Sequence, residues 1–247
     1  MQRKYYDFPL KTINANALKV IACASMFADH IAKVFGLTEA AGGAGIAGLI
    51  LSGILGRIAF PLFAFMLAEG FSHTKNVRRY LCRLFFLAVI SEIPFDLAEE
   101  GRLFFPGHQN TVWTLLLGLV MLLVIDRIRK RASLDYRLAA LCRFAVMIGF
   151  ALVSQLLRFD YAFFGIICIG VMDMLRPRIL PAGFWGIFCL NLDFQPDRIF
   201  GSITAFLALI PLALYNGEKG RLNLKYLFYI FYPAHLLLLG LLAHVLR

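Results

Sequence analysis

Charge is what this sequence has least of. Only 16% of its 247 residues are Asp, Glu, Lys or Arg, against 60% hydrophobic, and the mean hydropathy is +0.75. A soluble domain of this length could not hide so much apolar surface. Period-two alternation is also missing, which excludes a β-barrel, whose strands alternate lipid-facing and lumen-facing residues. Long, nearly continuous apolar segments remain, and in lipid these must be helices that satisfy their own backbone. The fold class is all-α: a polytopic helical membrane bundle. The five cysteines, Cys23, Cys82, Cys142, Cys168 and Cys189, lie in apolar spans without C-x-x-C spacing, so no disulfide framework and no metal site is expected. Gly-rich phosphate loops, H-E-x-x-H and G-x-S-x-G are absent. So are internal repeats, linkers and composition shifts, and residues 1–247 read as a single integral membrane domain. The leading MQRKYYDFPLK has no small-residue cleavage site, and the apolar run behind it holds Asp29 and His30, so it is not expected to be a cleavable signal.

The apolar runs predict nine spans, near residues 17–36, 44–70, 80–97, 111–126, 138–157, 160–175, 179–192, 200–216 and 226–246. Several fall short of the roughly 20 residues a perpendicular helix needs. The run near 179–192 is the weakest, opening with Pro181 and Gly183 and ending in LDFQPDR. Basic residues alternate between the loops. One set of segments carries Arg3, Lys4, Lys11 and Lys19; Lys75, Arg78, Arg79 and Arg83; Arg127, Arg129, Lys130, Arg131 and Arg137; Arg176 and Arg178; and Lys219, Arg221 and Lys225. The other set has only Arg102, Arg158 and Arg198, with Arg247 at the end. The positive-inside rule then predicts a cytoplasmic N-terminus and nine crossings. The formal charge of +10 is thus mostly a topology signal. Cations dispersed over five loops without a binding motif exclude nucleic acid as a partner and leave membrane lipids as the surroundings.

Against that background the intramembrane polar residues stand out, since each is expensive there. FADHIAKVFG places Asp29, His30 and Lys33 in the outer half of span one. Lys33 can snorkel or pair with Asp29 at i,i+4. His30 points about 100° away from Asp29 and has no acidic partner within its own turn. Glu92 and Asp96, in SEIPFD, lie toward the outer end of span three; Gln109 and Asn110 lead into span four; Asp160 and Tyr161 open span six; Asp193 closes span seven. Arg57 sits mid-membrane in span two, where it needs a buried acid or an anionic ligand, and Glu92 or Asp96 would serve. Ala44, Gly48, Ser52 and Gly56 form a small-xxx-small ridge in the same span, read as ordinary helix packing, with Pro61 expected to bend the helix just beyond. Glu69, His73 and the cations around Arg78 lie at the inner side, and Tyr229, Tyr232 and His235 enter span nine from there.

The strings LKVIACASMFADH, GRIAFPLFAFMLAEGFSHTKNVRRYLCRL, AVISEIPFDL, QNTVWTLLLG, DYAFFG and LFYIFYPAHLLLLG, in this order, resemble the TraX family of integral membrane proteins over essentially the whole chain. Ala162 in DYAFFG stands where glycine is expected. The resemblance implies a bacterial inner-membrane protein. The family's founding activity is N-acetylation of a conjugative pilin subunit. It is also similar, distantly, to polytopic acyltransferases that carry acetyl groups from cytosolic acetyl-CoA to extracytoplasmic acceptors. In those relatives an early-helix histidine serves the transfer, a place His30 occupies here. So implied, His30 is general base or acetyl carrier, polarised by Asp29 or Glu92, with Arg57 or Asn110 stabilising the oxyanion. His73, Lys75, Arg78, Arg79 and Arg83 would hold the phosphates of acetyl-CoA, with Tyr232 and His235 along its arm. Asp96, Gln109, Asp160 and Tyr161 would face the acceptor, whether a pilin N-terminus, an amino sugar or another surface amine or hydroxyl. The positive-inside rule also accounts for the inner cations.

A rival class is a small proton-coupled permease, for which Asp29, His30, Glu92 and Arg57 would form a relay. It lacks the inverted repeat and matched broken helices of such transporters. A scaffold without chemistry leaves the buried ionisable residues unexplained.

Overall fold

The computed structural model describes residues 12–131, 135–192, 199–221 and 225–246. Arg3, Lys4, Lys11, Asp193, Arg198 and Arg247 lie outside these residues, as does the Lys225 side chain. The described residues form helical segments and no strand: α1 (Ala15–Val34), α2 (Gly42–His73), α3 (Val77–Glu99), α4 (Thr111–Arg129), α5 (Tyr136–Leu156), α6 (Ala162–Leu175), α7 (Ile179–Leu190), α8 (Ile199–Leu214) and α9 (Lys225–Leu246). Each matches one predicted span. Helices α2, α4, α5 and α9 are long and apolar enough to cross a membrane, while α6, α7 and α8 are shorter apolar helices. The protein is a helical membrane protein. The run near 179–192 is helical despite Pro181, because that proline falls in the first turn, where its missing N–H would be unpaired anyway.

Local chemistry starts and stops these helices. Asn14, Asn76, Asn110 and Asp135 cap α1, α3, α4 and α5, each side-chain oxygen accepting from backbone N–H groups of the first turn. At the other end of α1, Gly36 takes φ +64° and Leu37 N–H donates to Ala32 O, a left-handed glycine closing the helix.

Helix α2 is not regular. Leu49–Leu55 is π-helical and Gly56–Ile58 is a 3₁₀ turn, so the distortion runs through Arg57, on the N-terminal side of Pro61. Such turns expose carbonyls that other elements can use. Ser25 on α1 donates to Leu55 O (2.5 Å), and Thr204 on α8 donates to Gly53 O. The small-residue ridge faces α1: Gly48, Ser52 and Gly56 are buried, whereas Ala44 is exposed. A Cβ on Gly56 would come within 2.7 Å of Asp29, which shows how closely the two helices approach there.

Helix α1 is enclosed by α2, α3 and α9; α3 lies along α9, and α6 packs on α2, α4, α5 and α7. At the basic end, Asp173 on α6 pairs with Arg129 on α4 (2.8 Å) and Arg176 (3.3 Å), and Arg176 donates to Ala68 O on α2 (2.9 Å). Thr12 N–H donates to Leu214 O and Ala15 N–H to Glu218 O, which brings the start of α1 to the end of α8. At the opposite end two loops are laced together: Gln109 N–H donates to Arg158 O (3.0 Å) and Asp160 N–H to Gln109 O (2.9 Å). The α5–α6 connection is strained, with positive φ at the non-glycine residues Arg158, Tyr161 and Ala162. Ala162, at φ +31°, is the position where glycine was expected, and this backbone is the physical reason for that expectation.

Candidate functional site

One face of α1 organises the site. Lys19, Cys23, Met26, His30 and Lys33 recur at helical spacing and line two cavities that meet inside the bundle. The larger, about 570 Å³, begins at the basic end among Lys19, His73, Lys75, Arg83 and Lys219. Its walls are mostly apolar, including Met66, Leu67, Leu84, Leu87 and Leu115. The smaller, about 40 Å³, is a chamber in which the ionisable Asp29, His30, Lys33, Glu99, His108 and Asp160 meet Thr111 and Tyr161 between walls that include Phe60, Phe63 and Phe95. Met26, Phe63 and Thr111 border both. From Lys19 to His30 the helix rises about 16 Å.

His30 is buried, and its Nδ1 lies 2.7 Å from Nε2 of His235 on α9. His235 Nδ1 is in turn 2.7 Å from the carbonyl oxygen of Phe231. Sequence reasoning missed this pair, because the two histidines stand 205 residues apart and no local periodicity connects them. Asp29 does not hold His30. Its carboxylate takes the Lys33 ammonium at 2.7 Å and the Ser52 hydroxyl at 2.5 Å.

Across the chamber, Thr111 Oγ1 donates to the Asp160 carboxylate, Thr114 Oγ1 to the Asp160 carbonyl, and His108 Nε2 stands 3.6 Å from Asp160 Oδ1. Burial pushes the Asp160 carboxyl up, but His108, Lys33 and the Thr111 hydroxyl outweigh it and hold it below the usual carboxylate range. Pairing with Asp160 is likewise the main reason His108 sits above the ordinary imidazole value, against the effect of its own partial burial. Tyr161 stacks on Phe60 with ring centroids 3.9 Å apart.

The remaining residues singled out from sequence lie elsewhere. Glu92 accepts from Asn110 Nδ2 (2.5 Å) and Trp113 Nε1 (2.7 Å), and Asn110 also donates to Ala88 O while capping α4. The Asn110 amide is therefore fully used, and neither residue lines the chamber. Asp96 accepts from Phe105 N–H (2.7 Å) and shapes the outer loop. Gln109 acts through its backbone. Arg57 packs against Gly201 on α8 and does not line the chamber. Arg78 and Arg79 are exposed and do not border the large cavity, whereas His73, Lys75, Arg83 and Tyr232 do. The buried Tyr232 hydroxyl lies at the end of the cavity, beside the Thr111 hydroxyl. Lys19, Lys219 and Glu99 were not singled out as site residues. Glu99 continues the Glu92/Asp96 spacing by one turn, a signal that was present.

A family model described as TraX protein matches residues 14–243. The chain is 32% identical over 248 residues to a probable fimbrial assembly protein, FimC of serogroup H1, from Dichelobacter nodosus. That alignment covers 92% of this chain and 94% of the relative. No solved structure matches the chain significantly.

Proposed function

The chain belongs to the TraX family, and on that footing we propose that it is a multi-pass inner-membrane acetyltransferase that takes acetyl groups from cytosolic acetyl-CoA and delivers them to an acceptor at the extracytoplasmic side. The observation that carries the reading is the junction of the two cavities. A wide, apolar bore with a cationic mouth ends at a small chamber that contains His30. Coenzyme A has matching chemistry: phosphates for Lys19, Lys75, Arg83 and Lys219, and a thin, mostly apolar arm for the bore. The thioester then lies near Met26, Phe63 and Thr111. The Tyr232 hydroxyl, beside Thr111 at the end of the bore, supplies a donor for its carbonyl oxygen.

In this scheme the acceptor amine enters from the end that carries His108 and Asp160. Its nitrogen attacks the thioester carbonyl carbon while His30 Nε2 takes its proton. The carbon–sulfur bond breaks, and the proton passes from His30 to the departing thiolate, so the enzyme returns to its starting state. The relative named for fimbrial assembly favours a pilin-type N-terminal amine as acceptor.

Sealed vesicles of one orientation test the reading. Acetyl-CoA on the side of the basic loops should acetylate an impermeant peptide amine on the other side, and acetyl-CoA on the peptide's own side should give little product. His30→Ala should lower the rate roughly 10²–10⁴-fold while acetyl-CoA binding persists. Equal product from either side would refute transfer across the membrane, and absence of saturable acetyl-CoA binding would favour the permease instead.

A further inference from the structure

We propose that His235 is a positioning residue that fixes the tautomer of His30 and so leaves the basic nitrogen of His30 bare at the chamber. The hydrogen bonds dictate this assignment. A carbonyl oxygen can only accept, so the 2.7 Å contact to Phe231 O requires that His235 Nδ1 carry a hydrogen. No carboxylate hydrogen-bonds either ring among the described residues, and both histidines are buried, which favours the neutral pair. In neutral His235 the other nitrogen, Nε2, is then a lone-pair acceptor. Its 2.7 Å partner, His30 Nδ1, must be the donor. The hydrogen of neutral His30 is thereby committed to Nδ1, and Nε2 keeps its lone pair.

Packing holds this arrangement in place. The His235 ring stacks on Phe231 at 4.7 Å and lies nearly parallel to His30, edge to edge with centroids 5.0 Å apart, with Phe27 edge-on at 5.9 Å. A ring flip would break the Phe231 bond and bury an unpaired N–H, which is costly. An unconstrained imidazole prefers its proton on Nε2, the wrong nitrogen for a base facing the chamber. His235 reverses that preference without touching either substrate. It is the second-residue device by which other catalytic imidazoles are oriented, built here from a histidine and a main-chain carbonyl in place of a carboxylate. The chemical consequence rests on the acetyl-transfer reading; the tautomer does not.

The test separates the two. Full-length protein labelled with ¹⁵N-histidine and placed in lipid nanodiscs reports which ring nitrogen of each histidine is protonated, and His30→Ala identifies the His30 signals. The expected result is His30 with Nδ1 protonated and Nε2 bare. His235→Gln, whose amide oxygen can accept the same bond, should keep that tautomer and most of the rate. His235→Leu should move the proton to Nε2 and lower kcat roughly 10²–10⁴-fold, with the KM for acetyl-CoA little changed; the acceptor probe is a short peptide with a free N-terminal amine. Two results would overturn the proposal: a His30 protonated at Nε2 in the unmodified protein, or a His235→Leu protein that keeps both tautomer and rate. The first needs no variant to fold. The expected tautomer in a protein without acetyl transfer supports the assignment and removes the acetyl-transfer reading instead.

Discussion

Replacing Gly56 by alanine measures the closest contact between α1 and α2. The backbone of Gly56 is ordinary right-handed helix, φ −60° and ψ −33°, so alanine meets no conformational penalty there. The new Cβ would instead stand 2.7 Å from both Cβ and Oδ1 of Asp29 and 2.9 Å from its Cγ. Asp29 cannot swing aside cheaply, because Lys33 and Ser52 hold its two oxygens. Overpacking of this kind costs about 1–3 kcal/mol. Helix propensity would offset about 1 kcal/mol of that, since alanine is the better helix former. Gly149→Ala on α5 provides the correction: it is also inside a helix, but nothing lies within 4 Å of its added Cβ. The difference between the two variants cancels propensity and leaves the clash. At roughly 2–4 °C per kcal/mol for a chain of this size, Gly56→Ala should melt roughly 2–12 °C below Gly149→Ala. Thermal unfolding in one detergent, followed by circular dichroism, reads the gap directly. Equal melting temperatures would mean that α1 and α2 do not approach at Gly56, and the placement of Asp29 would go with it.

Lys75→Gln combined with Lys219→Gln should weaken acetyl-CoA more than its form lacking the 3′-phosphate, by about 1.5–3 kcal/mol for each lost charge-assisted contact. Arg78→Gln with Arg79→Gln, exposed and off the cavity, should change neither; calorimetric titration of both ligands checks this. Ala162→Gly should leave stability unchanged or raise it by up to about 1 kcal/mol, because φ +31° strains alanine and not glycine. A melting temperature lowered as at an ordinary helical position would contradict the strain. The His108–Asp160 pair should impose a pH window. His108 is raised, so its contribution is complete below roughly pH 6.5 and fades as pH climbs through the higher folded value. Asp160 is depressed, so its share is complete above roughly pH 4 and is lost as pH falls through the lower folded value. His108→Gln should remove the alkaline decline in melting temperature and, because His108 also helps to hold Asp160 down, shrink the loss on the acid side, with Lys33 and Thr111 keeping the remainder.

Hydropathy made the helices legible, because lipid forces each one to satisfy its backbone within a continuous apolar run. Even the run at 179–192 came through, its proline sitting where a helix tolerates it. The Asp29–Lys33 pair was readable for the same local reason: four residues on a helix are neighbours. Asn110 shows where such reading stops. Its place just before an apolar run is an N-cap signal, yet its side chain also satisfies Glu92 and Ala88 from another helix, which leaves nothing for a reacting oxygen. Arg57 packs on Gly201 without lining the chamber, since depth along α2 says nothing of which side faces α8. The His30–His235 contact and the use of Lys19 and Lys219 depend on α9 and α8 meeting α1, which is tertiary information.

The small size of the chamber has a consequence of its own. A volume of about 40 Å³ accommodates about three water molecules at roughly 10–15 Å³ each. An acetyl group brings two carbons and an oxygen, and takes up much of such a space. A longer acyl chain would press on Phe60, Phe63 and Phe95, which line it. Under the proposed chemistry these three rings act as a ruler on the donor, setting how many carbons can be handed over, while the bore that leads to them is wide enough to admit any thioester of the same coenzyme.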